Sequence, residues 1–333
     1  MKKIGDNCND YSKDIIKKHI SLSNEPLRVN FGQPEHQYIQ IKYISDFIDI
    51  LKNLIIDQRK KVLLVCDIDD TIIRPIVDIG SEAWFSFSLK HEQIDNVLDK
   101  LGMIYAILNF QCVEEDTNNL ISLIKDLSNP SSDQLLTYLC LTSRNVRFHS
   151  HTATHLYQAN YDKTMIRQNM LEIDNSMCIF EQITPYGKQN IPLVRYIDNI
   201  CFTSGTDKGI VLDEILNRYF KKNQKEKMFD TIVFIDDSKI NTDSVHGSLM
   251  NITKKYHIDS LCVHYTFMQE QKNNYSVNHY IDDTKKIDKL IEAKEHINTK
   301  RIVRSPLFKI LKFMCVMLLS FAINVQLYIF LSK

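Results

Sequence analysis

Three short apolar runs along the chain stop abruptly at acidic or hydroxyl residues. The run 62–66 leads into Asp67, 135–141 into Thr142, and 231–235 into Asp236 and Asp237. Brief runs rich in Val, Ile and Leu are the pattern of strands buried on both faces of a parallel sheet. Helical stretches lie between them, over 41–56, 114–127 and 208–219, the second with apolar positions spaced three and four apart; a further helical run covers about 91–109. Strands alternating with helices predict an α/β fold, a doubly wound, Rossmann-like parallel sheet. In such sheets ligands bind beyond the carboxyl ends of the strands. The three polar terminations are therefore expected to face one crevice.

The end of the chain has a different pattern. Residues 313–331 contain no charge, and at 1.5 Å per residue they span about 28 Å, close to one bilayer core. Arg301, Arg304, Lys309 and Lys312 precede this run and only Lys333 follows it, which predicts that residues 1–305 face the cytoplasm. Asn324 and Gln326 count against a membrane span. The run is nonetheless apolar all round, which favours a transmembrane tail anchor over a membrane-surface or partner-binding helix, or a core helix of a soluble cytoplasmic protein. The polar segment 271–312, with Pro306, then forms a stalk. Residues 1–60 carry no signal-peptide pattern and are expected to form a helical segment on a core spanning 61–270.

Composition narrows the class. The chain has 333 residues, 44% hydrophobic and 25% charged, which suits a folded core and excludes a disordered chain. Only 8 Gly and 7 Pro argue against an all-β fold with many tight turns. Basic and acidic residues number 41 each, so nothing marks a dedicated nucleic-acid binder. The 8 cysteines include no C-x-x-C pair and lie mostly in apolar runs, so they read as buried free thiols. His149, His151 and His155 do not gather on one helical face, and a metal role for them is disfavoured.

The strand ends carry the candidate chemistry. Asp67-Ile68-Asp69-Asp70-Thr71 places two carboxylates two residues apart just past a strand, where one can act as nucleophile or metal ligand and the other as acid or base. Thr142-Ser143-Arg144-Asn145 offers hydroxyls and a guanidinium that suit phosphoryl oxygens, or make an ordinary turn. Lys208 opens a helix against the macrodipole preference, a local conflict of the kind found at functional sites. Asp236 and Asp237 repel one another unless a cation is near, and carboxylate oxygens suit Mg²⁺. Asp243 is either an outer group of that site or a cap.

Taken in order, Asp67/Asp69/Thr71, Thr142, Lys208 and Asp236/Asp237 resemble the motifs of the haloacid dehalogenase (HAD) superfamily of phosphohydrolases, over roughly residues 40–270. The segments Gly80-Ser81-Glu82-Ala83-Trp84-Phe85 and Ile200-Cys201-Phe202-Thr203-Ser204-Gly205, with the Thr142 segment, resemble an uncharacterised bacterial branch known only as a domain of unknown function. The resemblance implies a HAD-like sheet with a cap inserted at about 75–112, and a second insertion candidate at 145–200.

It also implies a Mg²⁺-dependent phosphatase. Asp67 would attack phosphorus to form an aspartyl-phosphate, and Asp69 would protonate the leaving group and then activate water. Thr142 and Lys208 would hold phosphoryl oxygens, with Thr71, Ser143 and Arg144 near the substrate. Mg²⁺ would be held by Asp67, the main-chain carbonyl of Asp69, Asp236 and Asp237. Trp84 would anchor the cap to the core or touch substrate, the former being favoured. A phosphorylated small molecule, protein or lipid fits as substrate. The competing readings are a non-catalytic interaction protein on a HAD scaffold and a phosphotransferase.

Overall fold

The computed structural model describes residues 27–31, 34–128, 135–161, 194–222 and 229–304. Its centre is strand β2 (Val62–Cys66), buried at every position. β2 pairs in parallel with β5 (Leu136–Thr142) on one side and β8 (Thr231–Asp236) on the other. β9 (Asp259–Tyr265) and β1 (His36–Ile41) extend the sheet beyond β8. On the other side β7 (Ile200–Phe202) follows in parallel, and β6 (Arg195–Ile197) closes the edge antiparallel. The order β1-β9-β8-β2-β5-β7-β6, with helices between the strands, is a doubly wound, mostly parallel α/β sheet.

Alternation along β2 sends Leu63 and Val65 to one face. There they join Val211, Leu212 and Ile215 of α6 (Lys208–Lys222) and Val245 and Leu249 of α7 (Lys239–Tyr256) in a single buried cluster. α1 (Ile44–Lys52) packs against α4 (Thr117–Leu127), and these two helices touch β1 and β5 respectively. Five non-polar residues of α1, Ile44, Phe47, Ile48, Ile50 and Leu51, are buried.

The region expected to be a cap is carried on a small antiparallel ribbon of β3 (Ile73–Pro75) and β4 (Phe110–Cys112). Between these strands lie α2 (Glu82–His91) and α3 (Ile94–Tyr105), and α5 (His149–Gln158) packs against β4. Ser81 caps α2 by accepting the Trp84 N–H at 3.2 Å, a typical N-cap arrangement. The turn before it needs Gly80: φ is +77°, and a Cβ there would lie 2.8 Å from Ile104 Cγ2. Trp84 is buried, as a packing residue would be.

The N-terminal segment departs from expectation, because residues 36–41 form edge strand β1 rather than helix. An edge strand is only half-buried and shows a weak apolar pattern, which His36, Gln37 and Gln40 obscure. The chain divides into two units, 1–275 and 276–333. The boundary drawn at residue 270 therefore falls inside the first unit, whose last helix is α8 (Gln269–Asn274). In the second unit the described element is the single helix α9 (Val277–Arg304). Among the described residues no helix is long and apolar enough to cross a membrane; the run 313–331 lies outside them. Cys66, Cys112, Cys140, Cys201 and Cys262 are free thiols, all buried except Cys112.

Candidate active site

Register positions the site. Cys66, the last residue of β2, lies opposite Ile235 of β8 and Cys140 of β5. Asp67 therefore leaves the sheet beside Asp236, and the Asp67 N–H still completes the ladder by donating to the Ile235 carbonyl at 3.0 Å. Thr142 ends β5 two residues beyond Cys140. All three polar terminations emerge at one end of the sheet.

Lys208, the first residue of α6, reaches into this end with its side chain only 1% exposed. Its ammonium donates to Asp67 Oδ1 and, at 2.7 Å, to Asp236 Oδ2. Burial alone would lower the Lys208 pKa, but the two carboxylates outweigh it and hold the group above its ordinary value. Burial pushes the Asp67 carboxyl up, with the Lys208 charge opposing that rise. The other Asp236 oxygen accepts the Ser238 N–H at 2.8 Å and Asn241 Nδ2 at 3.2 Å. Thr71 links the two loops: its hydroxyl donates to Asp67 Oδ2 at 3.4 Å and accepts the Asp237 N–H at 3.2 Å.

Carboxylate oxygens of Asp67, Asp236 and Asp237, all buried, lie within 4.8 Å of one another. An all-oxygen donor set of this spacing suits a hard divalent cation such as Mg²⁺. The Asp69 side chain is not part of that group. It is turned into a two-pronged ion pair with Arg144, Nη2 to Oδ1 at 2.6 Å and Nε to Oδ2 at 2.7 Å.

Arg144, expected near the substrate, is engaged on several sides. The guanidinium is buried, lies 4.6 Å from the Tyr105 ring centre and 5.3 Å from that of Phe110, and donates from Nη1 to Thr152 at 3.1 Å and to His155 at 3.2 Å. Burial would raise the Asp69 pKa, but the Arg144 charge and hydrogen bonds hold it below the usual carboxylate range. Burial, with Arg144 beside it, lowers the His155 pKa to about 3. The imidazole is therefore neutral, accepting Arg144 at Nδ1 and donating Nε2–H to the Tyr105 carbonyl at 3.0 Å.

The remaining expected residues are placed as follows. Thr142 is buried and its hydroxyl oxygen accepts the Arg144 N–H at 3.1 Å. Ser143 is exposed, and its carbonyl accepts the Gly205 N–H at 3.1 Å. Asp243 pairs with Lys239 on the exposed side of α7.

Several residues of the site carried no signal for it in the sequence. Lys272 of α8 donates to Asp237 and Glu82 and lies 3.3 Å from Asp70. His155, Tyr105, Phe110 and Thr152 form the seat of Arg144. Asp70, inside the first motif, was the one such residue within reach of a local reading.

A family model described as "Protein of unknown function (DUF2608)" matches residues 43–297. No curated protein matches the chain. Among solved structures, the HAD domain of the effector protein Lem4 from Legionella pneumophila is 13% identical with a TM-score of 0.32, covering 67% of this chain and 93% of that one. An inactive mutant of the same domain aligns equally, covering 68% and 98%. Similarity this loose transfers no chemistry, which the residues of the site must supply themselves.

Proposed function

Because the chain belongs to the DUF2608 family, whose description assigns no reaction, we propose from the site itself that it is a Mg²⁺-dependent phosphatase working through an aspartyl-phosphate. The observation that carries this reading is the buried Lys208 ammonium between Asp67 and Asp236, with Asp237 alongside. A carboxylate next to a fixed cation and a cation cage is set up to receive a phosphoryl group, whose transfer depends on positioning and charge stabilisation.

An Asp67 oxygen attacks phosphorus as the bond to the leaving oxygen breaks. Lys208 offsets the charge that builds on the phosphoryl oxygens, and Thr142, with Ser143 at the exposed mouth, supplies hydroxyl contacts. Mg²⁺ held by Asp67, Asp236, Asp237 and the Asp69 carbonyl would add charge neutralisation. Asp69 is the acid and then the base: released from Arg144 and protonated from solvent, it gives that proton to the leaving oxygen, and as the carboxylate left behind it takes a proton from the water that hydrolyses the aspartyl-phosphate. Arg144 orients it and favours the ionised form, which suits the second step. The substrate is a phosphorylated small molecule, protein or lipid, and 313–331 would hold the enzyme at a membrane.

The test is phosphate release from p-nitrophenyl phosphate by the full-length protein, with Mg²⁺ or EDTA, beside Asp67→Asn. Release that needs metal and vanishes in the variant supports the reading. Release by Asp67→Asn equal to wild type refutes it.

A further inference from the structure

We infer that Lys272 is a resident cation filling a second carboxylate cage beside the proposed metal site, so that the protein takes one divalent ion where its acids could hold two. One oxygen each of Asp70, Glu82 and Asp237 lies within 4.8 Å of the others. The Lys272 ammonium contacts all three, Asp70 at 3.3 Å. An ammonium has three N–H donors and no acceptor; this one donates to Glu82 and Asp237 and has the Asp70 carboxylate within ion-pair distance. Its side chain is 17% exposed, with Asp70 and Asp237 at 4% each. A lysine held this way, ion-paired to two buried carboxylates, is part of the interior and not a solvated surface group.

The three acids come from three parts of the chain. Asp70 sits in the turn after β2 at φ +55°. Glu82 is the first residue of cap helix α2, and Asp237 follows β8. Lys272 therefore ties the cap to both loops that carry the proposed metal ligands. Asp237 is shared between the two cages, which makes Lys272 a positioning residue for that ligand.

Charge explains why the lysine matters for ion count. Three carboxylates carry three negative charges; the ammonium leaves two and a divalent ion would leave one. Without Lys272 the cage keeps all three oxygen ligands of a type that hard divalent ions prefer. It also adjoins a cleft lined by Asp70, Arg74, Asp78, Ser81, Gln271 and Lys272, which gives an ion a way in.

The experiment is Mn²⁺ binding by equilibrium dialysis on the full-length protein. The inference rests on the metal reading of Asp67, Asp236 and Asp237 only for its baseline of one ion. Wild type and Lys272→Arg are expected to bind one Mn²⁺ per chain. Lys272→Met and Lys272→Gln are expected to bind two, and adding Glu82→Gln to either is expected to return the count to one. If wild type binds none and Lys272→Met binds one, the metal reading of the first cage fails while the role of Lys272 stands. Equal counts in wild type and both neutral variants overturn the inference. So do neutral variants that neither fold nor are restored by Mn²⁺, because the cage would then accept no substitute for the ammonium.

Discussion

Replacing Arg144 by Met tests the energetics of the site most directly. The substitution keeps an unbranched apolar stem against Tyr105 and Phe110 but removes five N–H donors and the charge. It leaves Asp69 without its two bonds of 2.6 and 2.7 Å, and Thr152 and His155 without theirs. Breaking a buried ion pair by removing one partner costs about 3–5 kcal/mol. The Asp69 side chain is 28% exposed and can partly rehydrate, which brings the expectation to roughly 2–3 kcal/mol.

The assay is denaturant unfolding of wild type, Arg144→Met, Asp69→Asn and the double variant. The two single changes should not add: a coupling of about 2 kcal/mol is expected for one shared ion pair. The sign with pH follows from the depressed Asp69 pKa. The contribution of the pair is full above the ordinary carboxylate pKa of about 4 and is lost as pH falls through the lower folded value. Arg144→Met should therefore lose this part of the acid dependence. Additive single variants, or an unchanged acid limb, would refute the reasoning.

Three further outcomes are expected. Asp69→Ala should slow release of an alkyl phosphate by about two decades or more, as loss of general acid–base catalysis does, and the check is kcat/KM on alkyl against aryl phosphates. Lys208→Met should abolish turnover and, by leaving two buried carboxylates facing one another, lower stability by about 3 kcal/mol in the same denaturant assay. Gly209→Ala should destabilise by about 1–3 kcal/mol through overpacking, since a Cβ there would lie 2.5 Å from the Ser244 carbonyl oxygen; a thermal melt reads it.

The central sheet was legible because β2, β5 and β8 are buried on both faces and so appear as nearly continuous apolar runs. β9 is buried just as fully yet escaped notice. Its sequence Asp259-Ser260-Leu261-Cys262-Val263-His264-Tyr265 is broken by polar residues, of which Asp259 and Ser260 find distant partners: Asp259 pairs with Lys60 at 2.7 Å and Ser260 with His36 at 2.6 Å. β3, β4, β6 and β7 have three residues each, too few to display a period.

The sequence by itself determined which residues stand at the strand ends. Asp67, Thr142, Asp236 and Asp237 follow from local pattern, because an apolar run must end where the sheet does. Which of these groups touch, and what holds each in place, only the tertiary structure decided. Register brought Asp67 against Asp236, and Lys208 came to them from another element. Arg144 turned to Asp69 from 75 residues away, and Lys272 of α8 reached Asp237, Asp70 and Glu82. The physical reason is that a buried charge needs a partner, and the identity of that partner is set by how the strands and cap stack, which no local window of sequence contains.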